Sequence, residues 1–224
     1  MAPGRLVLAV ACAWLVCSAA LAAPLTVDRA VVSFIAPETG GARSPHFIFE
    51  RALAFEARLE ALSDPDYSPD SKVPYRERHV RAALQRHIAE TLLASLHIDP
   101  EPTGAELDRQ TTSARLMLVV RVGGPAALEQ AARAEGMAER DLLQMIRRQA
   151  RASLYLDRMV APMLAPSLPE LHAAHRAGPS ELRARPFREV EGQLRHWVVS
   201  RRLAAAVIAF YQNARARLSV TILS

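Results

Sequence analysis

Seven histidines, a group of aspartates and the five methionines that follow Met1 are the residues of this 224-residue chain whose chemistry could define a site. His172 and His175 fall on one face of a helix just beyond Glu170. Two imidazoles without a third ligand at helical spacing fall short of H-E-x-x-H, so the pair reads as a partly exposed helix face. Asp64, Asp66 and Asp70 invite a calcium reading, yet the EF-hand glycine and closing glutamate are missing, which leaves a solvated turn. No serine sits in G-x-S-x-G. Gly123-Gly124-Pro125 lacks the Lys-Ser/Thr of a phosphate loop and reads as a helix break. The sequence therefore implies no catalytic constellation, no metal and no cofactor. What remains is Met117, Met137, Met145, Met159 and Met163. Thioether side chains adapt to irregular partners, so these form either a cradle for unfolded segments or ordinary core packing.

The elements that must position them centre on Thr103–Pro162. Thr103 followed by Glu106 is a capping box. It opens a helix with Leu107, Ala114, Leu118 and Val122 on one side. Pro125 starts a second, short helix that stops at Glu135-Gly136. A third begins near Ala138 and carries Leu142, Met145, Ile146, Ala150, Ser153, Leu156, Val160 and Met163, with Arg140, Arg147, Arg148, Arg151 and Arg158 expected in water. Around this run, Leu25–Ile35 reads as a strand. Ser44-Pro45 looks like the N-cap and first residue of a helix bearing Phe47, Ile48, Phe55 and Leu59. A further helix covers about Tyr75–His97. Ser167 and Glu170 repeat the capping box, and Gly178 ends the short helix they open. Pro186 begins a last long helix, to about Ala214, with two apolar lines that imply burial on both sides near its end. Leu218–Leu223 alternates like a strand, which makes it the partner for Val27–Ile35. The predicted fold is mainly α, a multi-helix body closed by a small sheet pairing the N-terminal and C-terminal strands.

The opening residues have the form of a secretory signal. Arg5 precedes the apolar run Leu6–Val16, and Ala20 and Ala22 fit the small-residue rule for cleavage after Ala22, with cleavage after Ala23 disfavoured by Pro24. Residues 1–22 are thus read as signal peptide and 23–224 as one domain, exported to the periplasm. Cys12 and Cys17 both fall in the signal, so the mature chain offers no disulfide and no thiolate ligand. No later apolar stretch is long enough to span a bilayer. The net charge is +5, with Lys72 the only lysine among 28 basic residues. The arginines are spread along helix faces, which argues against nucleic acid and for a solvated surface or, in part, a patch for acidic lipid or acidic polypeptides.

The order of these elements resembles the N-terminal chaperone domain of SurA-type periplasmic foldases. The stretches that carry the resemblance are Val27-Asp28-Arg29-Ala30-Val31-Val32, Leu96-His97-Ile98-Asp99, Glu106-Leu107-Asp108, Glu135-Gly136-Met137, Leu142-Leu143 with Ile146-Arg147-Arg148-Gln149, and Ser167-Leu168-Pro169-Glu170-Leu171. It implies an ATP-independent chaperone that binds unfolded or partly folded exported polypeptides, including outer-membrane clients. Relatives insert parvulin isomerase domains between the short helix and the last long helix. Here only Ala177–Arg185 separates them, too few residues for a domain, so prolyl isomerase activity is not implied. The expected client-binding residues are Met117, Met145, Met159, Met163 and Phe47, in a groove between the central helices and the N-terminal helix, with an apolar floor and arginines along it. The alternative is a non-catalytic adaptor that uses the same helical body to hold one envelope partner. The signal reading is checked by intact-mass measurement of the protein recovered from periplasm. The expected mass starts at Ala23, and a mass retaining Met1 would refute it.

Overall fold

The structure, a computed structural model, describes residues 28–68 and 72–223. The signal segment with Ala22 and Ala23, and also Asp70, lie outside the described residues. Among the described residues, three strands form one antiparallel sheet in the order β2 (His46–Phe49), β1 (Ala30–Ile35), β3 (Ser219–Ile222). The pairing of the two distant strands anticipated from sequence is present. Val32 lies opposite Ile222 and Phe34 opposite Val220. On the other side of β1, Val32 faces Ile48 and Phe34 faces His46, whose ring stacks on Phe34 at 5.2 Å. One sheet face therefore gathers Val32, Phe34 and Ile48, and these three are buried.

β2 corrects the sequence reading. Ser44-Pro45 does not start a helix. Two short 3-10 turns at Pro37–Thr39 and Gly41–Arg43 reverse the chain, Gly40 and Gly41 take φ of +100° and +66°, and His46–Phe49 runs back along β1. A Cβ on Gly40 would meet Ser44 Oγ at 2.9 Å, so a larger residue fits neither the dihedral nor the space. The free edge of β1 has backbone groups to satisfy, and a hairpin satisfies them more directly than a helix start one turn earlier. Helix α1 (Glu50–Leu62) begins only after Phe49.

Then follow α2 (Glu77–Ser95), α3 (Gly104–Arg121), α4 (Pro125–Ala134), α5 (Glu139–Tyr155), α6 (Leu168–Ala177), α7 (Ser180–Arg183) and α8 (Phe187–Arg215). Both capping boxes form. The Thr103 amide donates to Glu106 at 2.8 Å and the Ser167 amide to Glu170 at 2.7 Å. Gly123 and Gly124 adopt positive φ and Pro125 is the first residue of α4, as the break between the helices requires. α5 runs on into a π-helical stretch, Leu156–Val160, and a 3-10 turn, Ala161–Leu164.

Two apolar cores share α1. Leu53 and Ala57 join Val32, Phe34 and Ile48 of the sheet with Ala83, Ile88 and Leu92 of α2 and Ala214 of α8. Phe55 and Leu59 join Leu118 and Val122 of α3, Leu128 and Ala131 of α4, and Leu142, Met145 and Ile146 of α5. α8 does not have the double burial expected of it. Val190, Leu194 and Ala214 are its buried residues, and Ile208 is 61 % exposed. Its first half rests on α6, where Leu171 is fully buried, and its last turn rests on the sheet core, so the middle spans an opening. Phe34→Ala should lower the unfolding free energy by about 3–5 kcal/mol in urea titration. Ile222→Ala, on the same sheet face but 81 % exposed, should cost less than about 1 kcal/mol; equal costs would contradict this packing.

Candidate functional site

A groove of about 1110 Å³ opens between α2, α3, α5 and the middle of α8. Its floor holds Ala89, Leu93, Leu118 and Ala152, all buried. Met117 and Val120 of α3 and Val207 and Ile208 of α8 form its sides. The cause lies in α3. Leu116 to Val120 are five apolar residues in a row, and a helix of 3.6 residues per turn cannot turn all of them inward. Leu118 and Val122 face the core, which leaves Met117 (69 % exposed) and Val120 (75 % exposed) outward. A smaller groove of about 660 Å³ adjoins the sheet, lined by Leu84, Ile88, Tyr211, Arg215, Leu218 and Val220.

An ionic cluster links the groove to the cores. Glu56, on α1 and 5 % exposed, receives Arg148 Nη2 of α5 at 2.8 Å and lies 2.9 Å from His87 Nδ1 of α2. A carboxylate oxygen only accepts, so His87 Nδ1 carries the proton toward Glu56. Nε2 of the same ring faces Arg148 Nη1 at 3.4 Å. The second carboxylate is Glu90, a groove-lining residue 3.4 Å from Arg148. Burial would push Glu56 up, but the His87 hydrogen bond and the charges of His87 and Arg148 hold it below the ordinary glutamate value. Glu90 goes the other way. Burial outweighs the pull of Arg148 and raises it to about 7. One guanidinium cannot fully compensate two carboxylates removed from water.

The residues singled out by sequence scatter. Met117 lines the groove. Met145 is buried in the core with Phe55 and Ile146. Met159 is half-buried in the π-helical stretch, Met163 is exposed beyond it, and Phe47 is exposed on the outer face of β2. The groove is walled by α8 and α2, not by the N-terminal helix α1, because α1 is occupied on both faces by the two cores. Arg148 is not in water, since it serves Glu56. Asp64 is also more than a solvated turn. It holds Arg78 at 2.6 Å and His79 Nε2 at 3.0 Å, while His79 Nδ1 accepts from the Arg76 amide at 3.0 Å and so fixes the start of α2. His172 stacks on Phe187 at 4.0 Å, and His175 Nε2 donates to the carbonyls of Leu182 and Arg185, so the pair secures the α6–α8 turn. Among the described residues no group of three or more His, Cys, Asp or Glu could hold a metal ion. No described helix is long and apolar enough to cross a membrane.

Sequence reasoning passed over Glu56, His87, Glu90 and Arg121, and placed Ile208 on a buried line of α8 where the structure leaves it exposed. Two of these carried a signal: Glu56 sits inside the apolar stretch Leu53–Ala57, and Arg121 inside Leu116–Val122. A charge embedded in such a run needs a partner or a special position. Comparison with protein-family models, with characterised proteins and with solved structures finds no match for this chain.

Opposite pH responses follow from the two carboxylates. Glu56 binds its proton less readily folded than unfolded, so its contribution is present above about pH 4.5 and is lost as pH falls below that. Glu90 holds its proton more tightly folded, so its effect on stability worsens as pH rises from about 4.5 through about 7. Glu90→Gln should therefore stabilise the protein by about 1–3 kcal/mol at pH 8 and by less at pH 5, read by urea denaturation. Glu56→Ala, which takes the acceptor from His87 and leaves Arg148 to Glu90 alone, should cost about 1–3 kcal/mol.

Proposed function

We propose that this protein is a periplasmic, ATP-independent, chaperone-like protein. It holds apolar segments of unfolded or outer-membrane polypeptides in the groove between α2, α3, α5 and α8, and it does not catalyse prolyl isomerisation. The observation that carries this reading is the set of exposed apolar side chains, Met117, Val120 and Ile208, along a groove whose floor is already apolar. Large apolar side chains left in water around a concave surface mark a place where apolar partners bind. Each side chain seated there gains about 1.5–3 kcal/mol from leaving water, offset by the loss of motional freedom on association. A segment contributing a few such residues is held reversibly, and release needs no nucleotide. Met117 can repack around differently shaped side chains. Residues 178–186, between α6 and α8, contain only the four-residue α7, which favours a binding body over a catalytic one. The resemblance to SurA-type chaperone domains supports the same reading and the export that goes with it.

Light scattering of a urea-denatured outer-membrane protein diluted into buffer tests the proposal. The protein in stoichiometric excess should suppress aggregation. Val120→Asp/Ile208→Asp, with an unchanged circular-dichroism melt, should weaken suppression about tenfold or more, on the scale of two lost apolar contacts. Failure of the unaltered protein to suppress aggregation would refute the reading.

A further inference from the structure

The groove is apolar along its length but not electrically neutral. α3 runs antiparallel to α5, as the Arg115–Glu139 and Arg147–Asp108 ion pairs require, at 2.7 and 3.3 Å. α2 runs in the same direction as α5. His87 meets Arg148, and the Ala94 carbonyl accepts from Arg151 Nε at 2.7 Å. The C-terminal end of α3 therefore lies beside the first turns of α2. The last turns of α8 reach the same place, because Tyr211 and Arg215 share the smaller groove with Arg81, Leu84 and Gln85. Arg121 and Arg215 thus stand at one end of the large groove, with Leu93, Leu156 and Leu203 toward the other.

Neither arginine has a carboxylate within ion-pair distance among the described residues. Arg121 Nε is shielded from solvent and has no hydrogen-bond partner there. The third arginine lining the groove, Arg86 of α2, is engaged by Glu60 at 3.1 Å. The one groove carboxylate, Glu90, is already on Arg148, and its burial keeps it partly protonated near neutral pH. Two guanidinium groups without a carboxylate leave that end of the groove positive, and a carboxylate supplied by the occupant would meet that charge with charge-assisted hydrogen bonds.

Resting on the chaperone reading above, we propose that the groove selects apolar polypeptide segments that carry an acidic side chain at one end, seated against Arg121 and Arg215. A segment flanked by lysine or arginine places like charge at that end and is disfavoured.

Fluorescence anisotropy with the mature chain and three labelled peptides tests this. They share one apolar sequence and differ only in an Asp-Glu, Asn-Gln or Arg-Lys flank. The acidic peptide should bind at least about fivefold tighter than the neutral one at low salt, and the basic one weakest, with the gap narrowing as salt is added. Arg121→Gln/Arg215→Gln should reduce the acidic peptide to the neutral peptide's affinity, with a much smaller change for the neutral peptide. Arg121→Lys, which keeps the charge, should retain part of the preference. Equal binding of all three peptides overturns the selectivity and leaves the chaperone reading standing. A preference that survives in the double Gln variant places the acid elsewhere and overturns it too. Binding of none overturns the chaperone reading itself. Displacement of the acidic peptide by dodecanoate, with no binding of the neutral peptide, reassigns the groove to anionic amphiphiles and refutes the polypeptide assignment.

Discussion

A carboxylate sits in the middle of a helix that is buried on both faces, and the helical body is arranged around compensating it. Glu56 cannot reach water, because Leu53 and Ala57 face one core while Phe55 and Leu59 face the other. Its negative charge needs a cation and a hydrogen bond from neighbouring helices. α5 supplies Arg148 and α2 supplies His87, so three helices meet at one oxygen. A side-chain donor has a short reach, and sliding any of the three by a turn would break the contact. The cluster thus fixes a register that apolar packing alone would leave looser. Glu90, on the same guanidinium, then lies where the clamp meets the groove.

That clamp explains where the groove is. α2 and α5 turn one side to α1 and have no second layer on the other. α3 covers part of that side and exposes Met117 and Val120 because its apolar run is longer than one face can absorb. α8 covers another part, anchored near its start by Val190 and Leu194 and near its end by Ala214. Between those anchors it crosses the opening with Val207 and Ile208 toward it.

Sequence patterns revealed most of the elements because their boundaries are marked by local chemistry. Thr103 with Glu106, Ser167 with Glu170, Gly123-Gly124-Pro125 and Gly136 all act within a turn of where they stand. β1 was legible as a β-rich run bounded by Pro37 and Gly40-Gly41 and β3 because it alternates, and each lacked any other partner. β2 was not, because Ser44-Pro45 imitates a helix start and only the free edge of β1 makes His46–Phe49 extended. The site was less legible than the fold. Periodicity shows that α8 is apolar on two sides but not which neighbour fails to arrive, so Ile208 read as buried. Met117 and Met145 look alike in sequence; one faces the groove and the other the core, and the difference is a rotation about two different helix axes. Arg148 was assigned to water because its partner is a glutamate ninety-two positions earlier.

The middle strand of the sheet takes one neighbour from the residues just after it and the other from beyond the entire helical body. A polypeptide synthesised from its amino end has Val32 and Phe34 in hand long before Val220 arrives. During that interval the β1–β2 hairpin lacks its third strand and also the Ala214 contact beneath it. The Phe55 core needs nothing later than α5 and can consolidate first. Chain order therefore lets the Phe55 core close without the C-terminal strand, whereas the sheet half requires it. Until Ala214 and Val220 arrive, the apolar face formed by Val32, Phe34 and Ile48 has only α1 and α2 to cover it.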